Sequence, residues 1–287
     1  MNASKLALLA LPLLLPVAGC ASGTSPITTP AASYDVAGDT PRALADRYLD
    51  AVEAADADGI RASFLTNRDF MAREVDLQAR SLAAFRTVWL RLVDTFGEGE
   101  ARAVLLRSGF EGVIPDPNKD PFELMRDYLD AFDDRQLTLQ MVATDDGWYF
   151  DRTLPEPGAY TGEAEAILNR TAFTLGDNTA ILLFMSWVNE QLDAGVTDST
   201  ALSAKAVEAD PPANLETVLS DTRFVLAGIR DEAEGRGLSE LASNIEASIE
   251  ELDQNARDGG LLLDESATRP AAAQPATLPT SQPTTRP

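Results

Sequence analysis

The chain contains no histidine, and this absence excludes several kinds of chemistry. Ser-His-Asp and Cys-His catalysis both need an imidazole, and so do histidine-ligated zinc and copper sites. Cys20 is the only cysteine, so no disulfide can form within the chain. The sequence has neither a Walker A loop nor a Gly-x-Gly-x-x-Gly turn, and no Gly-x-Ser-x-Gly elbow. Carboxylate, tyrosine and arginine chemistry remain open.

Positive charge is also scarce, because 23 basic residues face 46 acidic ones and the formal net charge is -23. Binding nucleic acid needs a basic surface that neutralises phosphates, so we expect no nucleic-acid partner. The same negative charge repels anionic lipid head groups. Any attachment to a membrane must therefore come from something other than the charge of the folded body.

The first 20 residues form an apolar leader. Lys5 provides a positive charge, an apolar run follows from Leu6 to Leu15, and small residues then precede Cys20. The run is shorter than the roughly 20 apolar residues that span a bilayer, and Pro12 interrupts it. We therefore predict that residues 1–20 are a signal peptide that ends at Cys20 and is cleaved on export.

Val17-Ala18-Gly19-Cys20 resembles the lipobox of bacterial lipoproteins, in which aliphatic and small residues precede a modified cysteine. The resemblance implies that Cys20 receives a diacylglyceryl group, becomes the first residue of the mature chain and is then acylated, for example with palmitate. Several acyl chains anchor a protein stably, because each buried methylene contributes about 0.8 kcal/mol.

Ala21 follows the cysteine. In the lipoprotein family Asp at that place is the main signal for retention in the inner membrane, so the resemblance implies the outer membrane, with the body facing the periplasm. The inner membrane and the cell surface are the alternatives. An ordinary secretory signal with a cut elsewhere is the other interpretation of the leader.

Segments that cannot bury a core flank the body. Residues 21–39 are rich in Ser, Thr, Ala, Gly and Pro and are predicted to be a flexible tether. Residues 261–287 are predicted to be a Pro-rich disordered tail. Between them we predict an N-terminal helical domain with a β-hairpin over 40–155 and a C-terminal helical region over 156–260.

Apolar residues spaced by three and four predict helices through most of the body. Thr40-Pro41 suits the start of the first helix, and a second short helix is predicted through Phe64 and Leu65. The longest helix is predicted from about Asp69 to Gly97. A buried central helix is predicted from Thr179 to Leu192, and an antiparallel helical hairpin from 214–233 and 238–256.

One segment has the two-residue period of β-strands. Apolar residues alternate from Gln136 to Thr144, Asp146-Gly147 suits a hairpin turn, and Trp148, Phe150 and Leu154 continue the alternation. The predicted fold class is therefore mainly α, a helical body with one small antiparallel β-hairpin.

Two short segments resemble NTF2-like domains. Ala45–Val52 with Asp56-Ala57-Asp58 resembles their opening helices, and Asp146–Asp151 resembles their last strand. The resemblance implies an alternative fold class, an α+β NTF2-like N-terminal domain followed by helices. It also implies a pocket for a small apolar ligand, which would be lined by Tyr48, Phe64, Trp148 and Phe150. Each of these side chains is equally suited to an ordinary core.

Asp116 to Asp120 places oxygen ligands at alternate positions, as a calcium loop does, with Asp127 at the twelfth place. Pro121 stands where the sharp turn of such a loop would need flexibility, and Asp120-Pro121 suits a helix start instead. We therefore predict no metal site and no cofactor.

These observations predict an envelope lipoprotein without catalytic activity, an accessory or protein-interaction subunit that meets the membrane through its lipid. A small-ligand-binding module of the NTF2-like kind is the alternative. A hydrolase with paired carboxylates is a third hypothesis, although no particular pair can be nominated among 46 acidic residues.

Overall fold

The computed structural model of the chain describes residues 40–110, 120–158, 161–203, 210–261 and 263. Over these residues the protein is mainly α-helical with a small sheet, which confirms the predicted fold class. The elements in chain order are α1 (Pro41–Glu53), α2 (Ala57–Ala62), β1 (Phe64–Thr66), α3 (Asp69–Phe96), α4 (Glu98–Arg107), α5 (Pro121–Asp130), α6 (Asp134–Thr138), β2 (Met141–Thr144), β3 (Gly147–Arg152), α7 (Thr161–Asp193), α8 (Leu215–Gly235) and α9 (Ser239–Asp258).

The first two helices begin at capped positions. The Thr40 hydroxyl accepts a hydrogen bond from the Ala43 amide at 3.1 Å, and the Asp56 carboxylate accepts one from the Gly59 amide at 3.0 Å. Each cap satisfies an amide that has no partner within its helix. Between the helices, Ala55 has a φ of 54°, in the left-handed region that favours glycine. The sharp turn at Ala55 lets α1 and α2 both contact α3.

The sheet has three strands in the order β1-β3-β2. β2 and β3 pair antiparallel, which confirms the predicted hairpin, and β1 pairs parallel to β3. Phe64 lies opposite Phe150, and Thr66 lies opposite Arg152. The predicted second short helix is present as α2, but its extension through Phe64 and Leu65 is wrong, because backbone pairing with β3 makes this segment a strand.

The strand predicted from Gln136 is wrong over its first residues, which form α6. The Asp133 carboxylate accepts from the Gln136 amide at 2.8 Å, and the Gln136 side chain accepts from the Asp133 amide at 3.0 Å. This reciprocal pair is a capping box, which starts a helix locally. The alternating pattern becomes a strand only from Met141 onward.

Two long helices, α3 and α7, form the centre of the fold and run parallel. The Thr174 hydroxyl of α7 donates to Glu74 of α3, and farther along α3 Arg91 donates to Asn189 of α7. Residue numbers therefore rise together along both helices. α7 has 33 residues and α3 has 28, so the prediction that the helix beginning at Asp69 is the longest is wrong.

The segment predicted as a buried central helix is the second half of α7, and its burial is confirmed. The buried side chains there are Ile181, Leu182, Leu183, Phe184, Met185, Trp187 and Val188. Apolar residues cover several sides of this stretch because α3, α8 and α9 all pack against α7.

The predicted helical hairpin is confirmed as α8 and α9. Ion pairs join Arg223 to Asp253 and Arg230 to Glu246, each with a shortest distance of 2.7 Å, and their order shows that the helices are antiparallel. Gly237, with a φ of 75°, lies in the connection, where a left-handed conformation suits glycine.

Helix α8 lies very close to α3 at Gly228. A Cβ atom added to Gly228 would lie 2.4 Å from the Cβ of Phe70. Real carbon atoms in contact stand about 3.5–4.0 Å apart, so only glycine allows this approach.

Candidate functional site

Cys20, the predicted lipid-attachment residue, lies outside the described residues, as do the predicted tether and most of the predicted tail. The described chain begins at Thr40, the N-cap of α1.

The structure brings together the residues that were predicted to line a ligand pocket. The Tyr48 ring lies 5.2 Å from the Phe150 ring and 5.9 Å from the Phe64 ring, and the rings of Phe64 and Phe150 are 5.4 Å apart. These are centroid distances of direct ring contact. Trp148 stands two residues before Phe150 on β3 and belongs to the same apolar core. The rings pack on one another, and ligand binding between them stays a prediction.

Tyr48 is the titratable member of this aromatic cluster. Burial raises the pKa of its hydroxyl to about 12, although the positive charge of Arg152 acts in the opposite direction. The hydroxyl therefore stays protonated at neutral pH. In this state the Tyr48 ring packs in the apolar core, and its hydroxyl does not act as a base.

A groove of about 460 Å³ lies between the start of α3 and the end of α8. Phe70 and Phe224 contribute apolar surface, and three charged residues of the lining form one network. Glu232 accepts from Arg68 at 3.1 Å and from Arg236 at 2.7 Å. Because one carboxylate engages both arginines, neither of them is left to select an anionic ligand in this groove.

A layer of polar side chains crosses the apolar core between α3 and α7. Glu74 and Ser81 of α3 are buried, with exposed fractions of 1% and 0%, and they face Thr174 and Asn178 of α7. The Thr174 hydroxyl donates to Glu74 at 3.1 Å, and the Ser81 hydroxyl donates to the Asn178 side-chain oxygen at 3.1 Å. Buried polar groups are costly unless they are bonded in this way.

Glu74 is the chemically unusual member of this polar layer. Burial raises the pKa of its carboxyl above the ordinary value, while Arg152, the Thr174 hydroxyl and Arg170 oppose the shift. Burial acts in this direction because an ionised carboxylate loses its hydration in the core.

Two arginines stand beside Glu74 without contacting it as ion pairs. Arg152 ends β3, and its guanidinium lies 5.9 Å from the centre of the Phe64 ring. Arg170 belongs to α7, one turn before Thr174, and its Nε is buried without an acceptor among the described residues. Burial, and after it repulsion by Arg152, lower the pKa of Arg170. The site therefore combines two neighbouring cations with one buried carboxyl.

Of the segment that was compared with a calcium loop, residues 116–119 lie outside the described part of the chain. Asp120 is described and has structural partners: its carboxylate caps α5 by accepting from the Phe122 amide at 2.8 Å. It also accepts from the Trp89 indole at 2.9 Å. Across the described ranges, no group of three acidic side chains is arranged to hold a metal ion.

None of the helices in the described ranges has the length and hydropathy of a membrane span. No protein-family model, no curated protein and no solved structure matches the chain. The function must therefore be argued from the sequence features and from the geometry of the body.

Sequence reasoning placed Tyr48, Phe64 and Phe150 together but missed Glu74, Arg152 and Arg170. A signal for Glu74 did exist: it precedes buried Val75 within the apolar stripe of α3. The two arginines carried no local signal, because their proximity depends on how α7 packs against α3 and β3.

Proposed function

We propose that this chain is an envelope lipoprotein without catalytic activity of its own, an accessory or protein-interaction subunit. Lipid on Cys20 would hold it to the outer membrane, with the body facing the periplasm. The observation that supports this proposal is the leader, in which a short apolar run ends in Val17-Ala18-Gly19-Cys20. The absence of histidine from the sequence adds support, since it removes the commonest catalytic bases.

The anchor is tested by replacing Cys20 with serine in the producing cell. Wild-type protein should incorporate labelled palmitate and sediment with outer membranes, whereas Cys20→Ser should lose the label and leave the membrane fraction or remain unprocessed. Separating inner from outer membranes on a density gradient decides between these two locations. Surface proteolysis of intact cells tests the third location, the cell surface. A Ser25→Ala variant, altered in the tether, is the matched control and should behave as wild type. Retention of the label in Cys20→Ser would contradict the proposal.

The role as an interaction subunit is tested on the exposed surface of the body. Leu139 is a large apolar residue with 81% of its surface exposed, and it lies between α6 and β2. A photo-crosslinking amino acid in place of Leu139 should capture one protein of defined mass in intact cells. The same photo-crosslinking amino acid in place of exposed Glu165 of α7 serves as the comparison. If several exposed positions capture no protein under several growth conditions, the body is not an interaction subunit.

A further inference from the structure

The groove between α3 and α8 has walls that hydrogen bonds hold in place. Asn67, shortly before α3, donates to the Leu154 carbonyl and accepts from the Leu154 amide, each at 2.8 Å. Arg236, directly after α8, donates to the Pro155 carbonyl at 2.6 Å. The segment after β3 is therefore tied to both helices that border the groove. The volume of the groove, about 460 Å³, lies within the range of small-molecule sites, roughly 300–1,000 Å³.

Apolar residues line much of this groove. Phe70 and Ala227 are buried in the core and are each 6% exposed. Phe224 is partly exposed and Pro157 is exposed, so both present apolar surface to the groove. A ligand that covers them removes this surface from water, which contributes about 25 cal/mol for each Å². The groove therefore favours a ligand with an apolar body.

Two carboxylates at the groove have little or no bonded positive charge. The exposed Asp69 side chain forms neither an ion pair nor a hydrogen bond with any residue described. Asp231 has 64% of its side chain exposed and shares Arg230 with Glu246, and both distances are 2.7 Å. One guanidinium therefore serves two carboxylates on that side. Both aspartates keep acceptor positions open to a ligand.

The charges of the lining favour a cation. Two arginines, Arg68 and Arg236, stand against three acidic residues, Asp69, Asp231 and Glu232, so the lining has a formal net charge of -1. Both arginines donate to Glu232, so the charged groups left for a ligand are carboxylates. The whole chain, with a net charge of -23, also attracts cations and repels anions over a longer range.

We propose that this groove binds a small organic monocation with an apolar body. An ammonium group has donors only and a carboxylate has acceptors only, so the amine of the ligand donates to Asp69. The apolar body covers Phe224 and Pro157. A monocation cancels the net charge of the lining, whereas an anion would meet Asp69 and Asp231 without a guanidinium free to bind it.

Phenethylamine is the probe, because it joins one ammonium group to one ring. Titration calorimetry of the full-length protein in a non-ionic detergent, at constant ionic strength, should show saturable binding of one phenethylamine per chain. Phenethyl alcohol has a similar body without the charge, and methylamine has the charge without the body. Each of these two compounds should bind more weakly than phenethylamine, since each lacks one of the two interactions.

Two substitutions test the two parts of the site. Asp69→Asn should weaken phenethylamine binding about two- to fivefold, because an exposed ion pair contributes little. Asp94→Asn, at an exposed residue in the last turn of α3, is the matched charge change and should leave the affinity unchanged. Gly235→Leu should weaken binding about tenfold or more, because its side chain takes up ligand space. Gly235 lines the groove, and a Cβ added there meets no atom within 4 Å.

Gly99→Leu on α4 is the matched control for Gly235→Leu, because a Cβ at Gly99 also meets no atom within 4 Å. Gly99→Leu should bind phenethylamine as the wild type does. Thermal unfolding should show both leucine variants to be at least as stable as the wild type, since leucine is favoured over glycine in a helix.

Four results would overturn the site. They are no saturable binding of phenethylamine, binding of phenethyl alcohol as tight as that of phenethylamine, unchanged affinity in Gly235→Leu, and equal weakening by Asp69→Asn and Asp94→Asn. The comparison of the amine with the alcohol uses the wild-type protein alone, so it decides the ligand class even if a variant folds poorly.

Discussion

Replacing Gly228 with alanine tests how closely α8 packs on α3. The added Cβ would lie 2.4 Å from the Cβ of Phe70 and 2.5 Å from its Cγ. Phe70 is 6% exposed, so its ring is enclosed and has little space into which it can move. The two helices must separate locally, or Phe70 must leave its preferred rotamer.

Two opposing effects set the size of the change. Alanine is favoured over glycine inside a helix by about 1 kcal/mol, which would stabilise the variant. Overpacking a core costs about 1–3 kcal/mol, and a contact this short belongs at or above the upper end of that range. The overpacking term is larger, so Gly228→Ala should lower the free energy of unfolding by about 2 kcal/mol or more.

Urea unfolding followed by tryptophan fluorescence measures this loss. Gly235→Ala is the matched control on the same helix, because a Cβ at Gly235 meets no atom within 4 Å. The control should be neutral or slightly stabilising. A Gly228→Ala protein as stable as the Gly235→Ala protein would refute the close approach of the two helices.

Four further substitutions probe the core and the surface. Glu74→Gln should flatten the pH dependence of stability. Because burial raises the pKa of Glu74, the folded state holds the proton of this carboxyl more tightly than the unfolded state does. The stability of the wild type should therefore fall relative to that of the variant as the pH rises from about 4.5. Asp221→Ala, which removes the shared partner of two arginines, should cost about 1–3 kcal/mol. Asp193→Ala, which breaks a pair whose carboxylate is 64% exposed, should cost less. Ala55→Gly should stabilise by up to about 1 kcal/mol, since φ is 54° there.

Urea titrations at pH 4.5 and 8 measure the stability of the wild type and of Glu74→Gln. A stability difference between the two proteins that does not change with pH would contradict the prediction for Glu74. Thermal unfolding compares the two aspartate variants, and equal losses would mean that the burial of Asp221 adds nothing. A destabilised Ala55→Gly would show that the left-handed turn is not strained.

Local sequence signals predicted the helices well and the sheet only in part. Helices α8 and α9 follow from apolar spacing and from the glycines that separate them. Residues 134–138 form a helix despite an alternating apolar pattern, because the reciprocal hydrogen bonds of Asp133 and Gln136 outweigh that pattern. Strand β1 is three residues long, and its partner β3 lies far along the chain, so no local pattern could reveal it.

The candidate site depends even more on distant contacts. Periodicity marks the apolar stripe of α3 but does not say that Glu74, at its edge, is enclosed by α7. Arg170 is one of many arginines in sequence, and only the parallel register of α3 and α7 brings it beside Glu74 and Arg152. Tyr48 and Phe150 were predicted to be neighbours because the segments that carry them resemble the opening helices and the last strand of NTF2-like domains.

The lipid anchor is tested most directly by mass spectrometry of the mature amino-terminal peptide isolated from membranes. The proposal predicts a peptide that begins at Cys20 and carries a diacylglyceryl group on sulfur and an acyl chain on the amine. A mature chain that begins at any other residue, or an unmodified Cys20, would contradict it.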